Sequence, residues 1–274
     1  MASPVACQRP PLRRLPFAVA ALVVSCSALA AAQQVPVLYS EGIVHGFLVL
    51  RDLSGTALAD GDLTQTARGA TVTSRLVLRF KDGSLHDDTT VFSQEKVFRL
   101  LNTHLIQRGP SFPESLDMTI DVGKGQVTVR HADRDGPPKT DVEHLKLPPN
   151  LANGMLPVLL KNVRPGTPVP ALAYVAATPK PRLVTLKITP SGEDSFATGG
   201  SARKALHYVV AVELGGLTGL VAPLVGKQPP DSHVWILAGD TPAFVRAEQP
   251  LYTGGPMWRI ELTSPSWPAG AATR

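Results

Sequence analysis

Between Ser115 and Val122 the chain reads SLDMTIDV, and apolar and polar residues alternate at every step. Leu116, Met118, Ile120 and Val122 share one side; Ser115, Asp117, Thr119 and Asp121 share the other. A strand with one buried and one wet face has that period, whereas a helix spreads such a pattern around its whole circumference. GKG at residues 123–125 supplies a turn, and QVTVR returns with Val127 and Val129 on one face, which predicts a hairpin. In ATVTSRLVLRF, Val72, Leu76, Leu78 and Phe80 oppose Thr71, Thr73, Arg75 and Arg79. KDG at 81–83 then turns the chain into SLHDDTTVFSQEKVFRLL, read as one long strand, and NTHLIQRG adds another. GIVHGFLVLRD, residues 42–52, is apolar on both faces, as a strand covered on both sides would be.

The middle of the chain changes character. HADRDGPPKTDVEHLKLPPN, residues 131–150, is polar and proline-rich and reads as a loop. Leu151, Met155, Val158, Leu159 and Val163 then recur at helical spacing, with Asn150 as N-cap and Pro165-Gly166 as stop. Gly154 and Pro157 restrict that helix to a short or kinked one. VPALAYVAAT, RLVTLKIT, KALHYVVAVEL, SHVWILAG, PAFVRAEQ and MWRIELT resume the strand pattern, while residues 215–226 are too glycine-rich for a firm helix. The expectation is a mainly β fold of about twelve strands, since so many rarely stay flat and open. They would form a curved antiparallel sheet closing into a barrel or half-open barrel, with one short central helix over a mouth. Residues 33–274 are expected to form a single β-rich domain; two halves meeting near residue 165 are the alternative.

The first 32 residues have a different task. Arg9, Arg13 and Arg14 precede the apolar run Phe17–Val24, and small residues follow, the order of a secretory signal peptide. Ala30-Ala31-Ala32 before Gln33 suits one cleavage. Val23-Val24-Ser25-Cys26 resembles a lipobox and suits another, which would end the signal at residue 25 and acylate Cys26. The expected location is the periplasm or cell envelope of a bacterium, membrane-anchored through Cys26 if the second cut is used. No segment approaches the roughly 20 apolar residues of a spanning helix, so no transmembrane span is expected. Cys7 and Cys26 are the two cysteines, which leaves residues 33–274 without a disulfide, thiolate nucleophile or cysteine-based metal site. Of 27 basic residues three lie in the export segment, so the remainder carries 24 against 22 acidic ones. That near balance, without a basic run, gives no footprint for nucleic acid.

Candidate chemistry is sparse. Ser201 in GGSAR lacks the second glycine of a nucleophile elbow. His86 and Asp88 would share a strand face while Asp87 points away, and His131 and Asp133 form a similar pair, but neither reaches three metal ligands. Glu193-Asp194 and Asp133-Asp135 read as solvated acids in polar turns, and GKGQVTV leads into a strand rather than a phosphate-binding helix. No catalytic residue, metal or cofactor is therefore assigned. Aromatic residues are 5% of the chain, and Phe80, Phe92, Phe98, Tyr208, Trp235 and Trp258 all fall on predicted strands. They are read either as core packing or as the lining of a cavity for an apolar ligand.

The segment from His207 to Leu262, with Trp235, Asp240, Pro242 to Val245 and Trp258 to Leu262, resembles the closing part of uncharacterised exported bacterial β-rich proteins. These are similar to the half-open β-barrels of periplasmic lipoprotein carriers. The resemblance implies a sheet wrapped around a helix-lidded apolar cavity and an envelope habitat, and it carries over no catalytic residue. Three functional classes follow. The first is a non-catalytic binder of a lipid, acyl chain or other apolar small molecule. The second is an assembly partner of another envelope protein, without a pocket. The third is a hydrolase-type enzyme resting on little beyond His86 and Asp88.

Overall fold

The computed structural model describes residues 33–134, 136–198, 201–213 and 229–263. The export segment with Cys26, and the glycine-rich stretch 215–226, lie outside these residues. Fourteen strands follow one another as β1 (Val44–Asp52), β2 (Ala57–Arg68), β3 (Thr71–Phe80), β4 (Leu85–Gln94), β5 (Phe98–Arg108), β6 (Glu114–Asp121), β7 (Gln126–Asp133), β8 (Lys139–His144), β9 (Leu172–Val175), β10 (Leu183–Thr198), β11 (Ser201–Glu213), β12 (Ser232–Leu237), β13 (Ala243–Gln249) and β14 (Trp258–Leu262). One helix, α1 (Leu156–Lys161), separates β8 from β9. All strands belong to one antiparallel sheet in the order β8 to β1, then β14 back to β9. The first and last strands thus pair at its centre, Leu50 opposite Ile260, and join the two halves continuously. Strands β8 and β9 are its unpaired ends, so the barrel is not closed.

Alternation assigns the faces. Across β2 to β7 one row runs Leu63, Leu76, Asp88, Leu105, Met118, Val129, and the next runs Gly61, Leu78, His86, Gln107, Leu116, His131. These rows face inward. The intervening residues carry the outward charges, among them Arg75, which clasps Asp87 at 2.9 and 2.6 Å. Curvature is evident from the core itself. Ile120 and Val127 from one half share a cluster with Val175, Leu186, Tyr208 and Ile236 from the other, and with Val158, Leu159 and Leu160 of α1. A flat sheet could not bring one face of both halves onto a single short helix. A second apolar cluster lies around Leu48, Leu50, Leu78, Phe80, Phe112 and Trp258. Gly61 belongs there because a Cβ would lie 2.7 Å from the Leu78 side chain and 3.0 Å from that of Leu48.

Several expectations are corrected. Residues 57–68 form β2, which the pattern did not announce. The stretch SLHDDTTVFSQEKVFRLL is two strands, broken after Gln94, and its second part is continuous with NTHLIQR in β5. Part of the supposed polar loop is the edge strand β8. The helix is one and a half turns long, starts after Met155 rather than Asn150, and has no side-chain cap; Pro157 occupies its first turn, where the missing N–H costs nothing. Leu151 instead bridges in parallel to Ala173 on β9.

A strap precedes β1. Val35 to Glu41 crosses the barrel end, with Phe98 N–H donating to the Val35 carbonyl at 3.0 Å and Val37 N–H to that of Lys96 at 3.0 Å. Asn162, just past α1, accepts from the N–H groups of Leu38 and Tyr39 at 2.8 and 2.7 Å. Gln94 pairs with the Glu41 backbone on both sides, at 2.6 and 2.9 Å. The buried Glu41 carboxylate takes Lys161 Nζ at 2.5 Å and Gln65 Nε2 at 2.7 Å. This charge is compensated where it is buried, as a low dielectric requires.

Candidate functional site

The two apolar clusters are separated by a polar layer on the inner face, carried by alternate residues of β4 and β5. His86 is fully enclosed, and burial pushes its imidazole down to about 4. Its Nδ1 accepts from Gln107 Nε2 at 3.0 Å, and the same amide donates to the Leu251 carbonyl at 2.6 Å. The neutral ring is therefore held as part of the packing. Two residues on, Asp88 Oδ1 accepts from Thr103 at 3.1 Å and from Thr90 at 3.4 Å. Burial outweighs those bonds and raises its carboxyl to about 6. Tyr174 of β9 lies near it: burial first, and the Asp88 charge second, push that phenol up to about 12.

The turn before α1 brings β9 to β4. Asn153 mimics a neighbouring strand, donating to the Val175 carbonyl and accepting from Val175 N–H, both at 2.9 Å. Ala152 N–H donates to the Ala173 carbonyl at 2.9 Å. On its other side the turn lies against Thr90: a Cβ on Gly154 would sit 1.8 Å from Thr90 Oγ1, and the φ of +64° is itself one that side chains disfavour. So the segment 151–155 clamps the end strand β9 to β4 beside the polar layer, and Tyr174 of β9 comes near enough to feel the Asp88 charge.

Toward the opposite end the inner face is only partly covered by the described residues. Gly46, Leu63, Leu76 and Asp88 form one row across β1 to β4. Leu63 and Leu76 are partly buried, while Val44 is 41% and Leu262 45% exposed, both with the inner-face phase. An apolar floor thus runs from the β14–β1 seam to a carboxylate. Among the described residues Asp88 has no ion-pair partner.

The six aromatic candidates lie elsewhere. Phe92, Phe98 and Tyr208 are in the first core cluster; Phe80 and Trp258 are in the second. Trp258 and Phe80 meet edge-on at 5.5 Å and Phe92 meets Phe98 at 6.0 Å. Trp235 points to the outer face. Two small, open depressions have volumes of about 80 and 30 Å³ and lie beside α1 and the 163–167 loop. Tyr208 alone of the six borders one of them, the smaller. Neither of these two approaches the several hundred Å³ that enclose a drug-sized ligand.

Trp235 anchors an outer cluster that the sequence did not suggest. Its ring stacks on His207 at 4.5 Å, its Nε1 donates to Asp194 at 2.6 Å, and Arg246 lies 5.6 Å over it and 4.7 Å over Phe196. His207 Nε2 meets His233 Nδ1 at 2.9 Å. Burial, and then the His233 charge, hold His207 below the usual imidazole range. Asp194, with its side chain 53% exposed, thus accepts a hydrogen bond on strand β10 rather than in a turn. His131 does not pair with Asp133 but lies between Glu114 at 3.4 Å and Asp141 at 3.2 Å. Among the described residues no three His, Cys, Asp or Glu side chains are disposed to hold a metal ion. Asp135 and the Ser201 side chain lie outside the described set.

One solved structure is similar. It is a beta-barrel-like protein of Domain of Unknown Function DUF1849 from Brucella abortus, 9% identical, with a TM-score of 0.45 over 82% of this chain and 98% of that one. No family model matches the chain, and no curated protein matches it. No helix among the described residues is long and apolar enough to cross a membrane.

Proposed function

We propose that this chain is an exported, non-catalytic binding protein of the bacterial envelope that holds an apolar ligand on the open part of its concave face. The observation that supports this reading is the only partly covered apolar row on the inner side of the sheet. Val44 and Leu262 are substantially exposed although they share the face of the core, and Leu63 and Leu76 continue that floor inward. Elsewhere the same face is filled by the chain's own side chains and by α1. Seating an alkyl segment there removes apolar surface from water on both partners, at about 25 cal/mol per Å². The ligand lies along the sheet rather than inside an enclosed void, which agrees with the small size of the depressions beside α1. The export part of the reading rests on the Arg9 to Ala32 segment, and the carrier-like role on the half-open form.

Uptake of the uncharged dye N-phenyl-1-naphthylamine tests it. The folded protein is expected to enhance the dye's fluorescence saturably. Val44→Gln with Leu262→Gln is expected to weaken uptake at least fivefold without changing the urea midpoint, because both side chains are exposed. No saturable signal from the wild type, or an unchanged affinity in the double variant, would overturn the reading.

A further inference from the structure

Glu41 is buried on the inner face and Asp88 is half-buried there, and they are treated differently. Glu41 meets Lys161 and Gln65. Asp88 meets two threonine hydroxyls through one oxygen, and no lysine, arginine or histidine of the described chain forms an ion pair with it. The groups packed around it are Leu76 and Leu105 on the adjoining strands, Thr90 and Thr103 beside it, and Tyr174 nearby. Among the described residues the tyrosine hydroxyl makes no hydrogen bond, and burial is the main cause that raises it. The charges of Asp87 and His104 act from the outer face, and the sheet itself lies between them and the carboxylate. A carboxylate partly withdrawn from water without a cation carries a desolvation cost, and perturbed groups of this kind cluster at functional sites.

The apolar row leads to this group. From β1 to β4 it spans three strand spacings, about 14 Å, the reach of a medium-length alkyl chain. We infer that the concave row is a site for a cationic amphiphile, its apolar tail along Gly46, Leu63 and Leu76 and its ammonium head between Asp88 and the Tyr174 hydroxyl. This rests on the proposed apolar-ligand site and specifies the ligand's class. A primary ammonium offers three donors. One meets the free Asp88 oxygen, a second meets the tyrosine oxygen, and the third points along the row toward water. A carboxylate head would meet Asp88 with like charge, and an alcohol would leave its charge unbalanced.

The test compares decylamine, decanol and decanoate as displacers of N-phenyl-1-naphthylamine at pH 7.5, on wild type and on Asp88→Asn. On the wild type, decylamine is expected to bind at least tenfold more tightly than decanol, and decanoate more weakly than either. In Asp88→Asn the amine preference should fall to less than threefold while decanol affinity is unchanged; its urea midpoint verifies the fold. Tyr174→Phe should weaken the amine more than the alcohol. Equal binding of amine and alcohol by the wild type, or an amine preference that survives in Asp88→Asn, would overturn the inference and leave the apolar-site reading standing. Absence of binding by the dye and by all three compounds would overturn both.

Discussion

Replacing Asp88 with Asn keeps an acceptor for Thr90 and Thr103 and removes a charge that the interior does not compensate. The carboxyl rises from 3.8 to about 6 on folding, a change equivalent to about 3 kcal/mol. Between pH 4 and 6 the folded chain therefore holds a proton on Asp88 that the unfolded chain has released. Stability falls as pH rises through that window, and the full penalty is present above it. His86 acts in the opposite sense. Its imidazole drops from 6.5 to about 4, so the unfolded chain binds the proton and stability falls as pH is lowered through the same window. In the wild type the two slopes largely cancel. In Asp88→Asn the His86 slope stands alone, about 1.4 kcal/mol per pH unit. The variant should match the wild type at pH 4 and exceed it by about 3 kcal/mol above pH 6. Urea unfolding followed by circular dichroism at pH 4, 5, 6 and 7.5 measures this difference directly. A difference that does not change with pH, or a variant less stable than wild type at pH 7.5, would refute the assignment of Asp88 as a half-buried, uncompensated acid.

Other expectations concern the elements that frame the site. Lys161→Met leaves the Glu41 carboxylate buried without its cation and should cost about 3 kcal/mol; adding Glu41→Gln should recover most of that in urea unfolding, and no recovery would mean that the pair is not the reason for the loss. Gly154→Ala should destabilise by about 2–4 kcal/mol, since the new methyl meets Thr90 across a backbone-fixed distance at a positive φ; a loss below 0.5 kcal/mol would contradict the clamp. Protonation of His207 should quench the Trp235 ring stacked on it, giving a fluorescence titration with a midpoint below the usual 6.5 of histidine. That titration should vanish in His207→Gln, and its persistence would assign it to another group.

The sequence revealed the fold wherever alternation was strong. Strand β6 carries large apolar residues at every second position and β3, β7 and β11 do so over part of their length, and the turns KDG and GKG separate the hairpins of β3 and β6. Strand β2 escaped because its inward positions are Ala59, Gly61, Leu63 and Gln65, two of them small and one polar. The space above Gly61 is filled by Leu48 and Leu78, which only the assembled sheet supplies. Strand β8 escaped because an edge strand with both faces wet needs no alternation, and Lys139, Asp141 and Glu143 place charges along that edge, a common protection of such strands. The reversal between β4 and β5 carries no glycine or proline; the strap, bonded to Lys96 and Phe98 there, marks a site set by tertiary contacts. His86 and Asp88 were visible as a same-face pair, but their environments were not. Tyr174 comes near Asp88 through the 151–155 clamp, and no spacing in the sequence announces that meeting. The outer cluster was hidden for a similar reason. His207, His233, Trp235 and Arg246 come together through the pairing of β11, β12 and β13, and the alternation that placed Trp235 on a strand did not say which face it would occupy.

The concave row is tested most directly by side-chain methyl NMR of the wild-type protein titrated with decylamine. The account predicts the largest shift changes at the methyl groups of Leu63, Leu76, Val44 and Leu262, with the Tyr174 ring following at the same dissociation constant. Changes confined to the outer face around His207 and Trp235, or to the depression between Leu160 and Pro242, would contradict it.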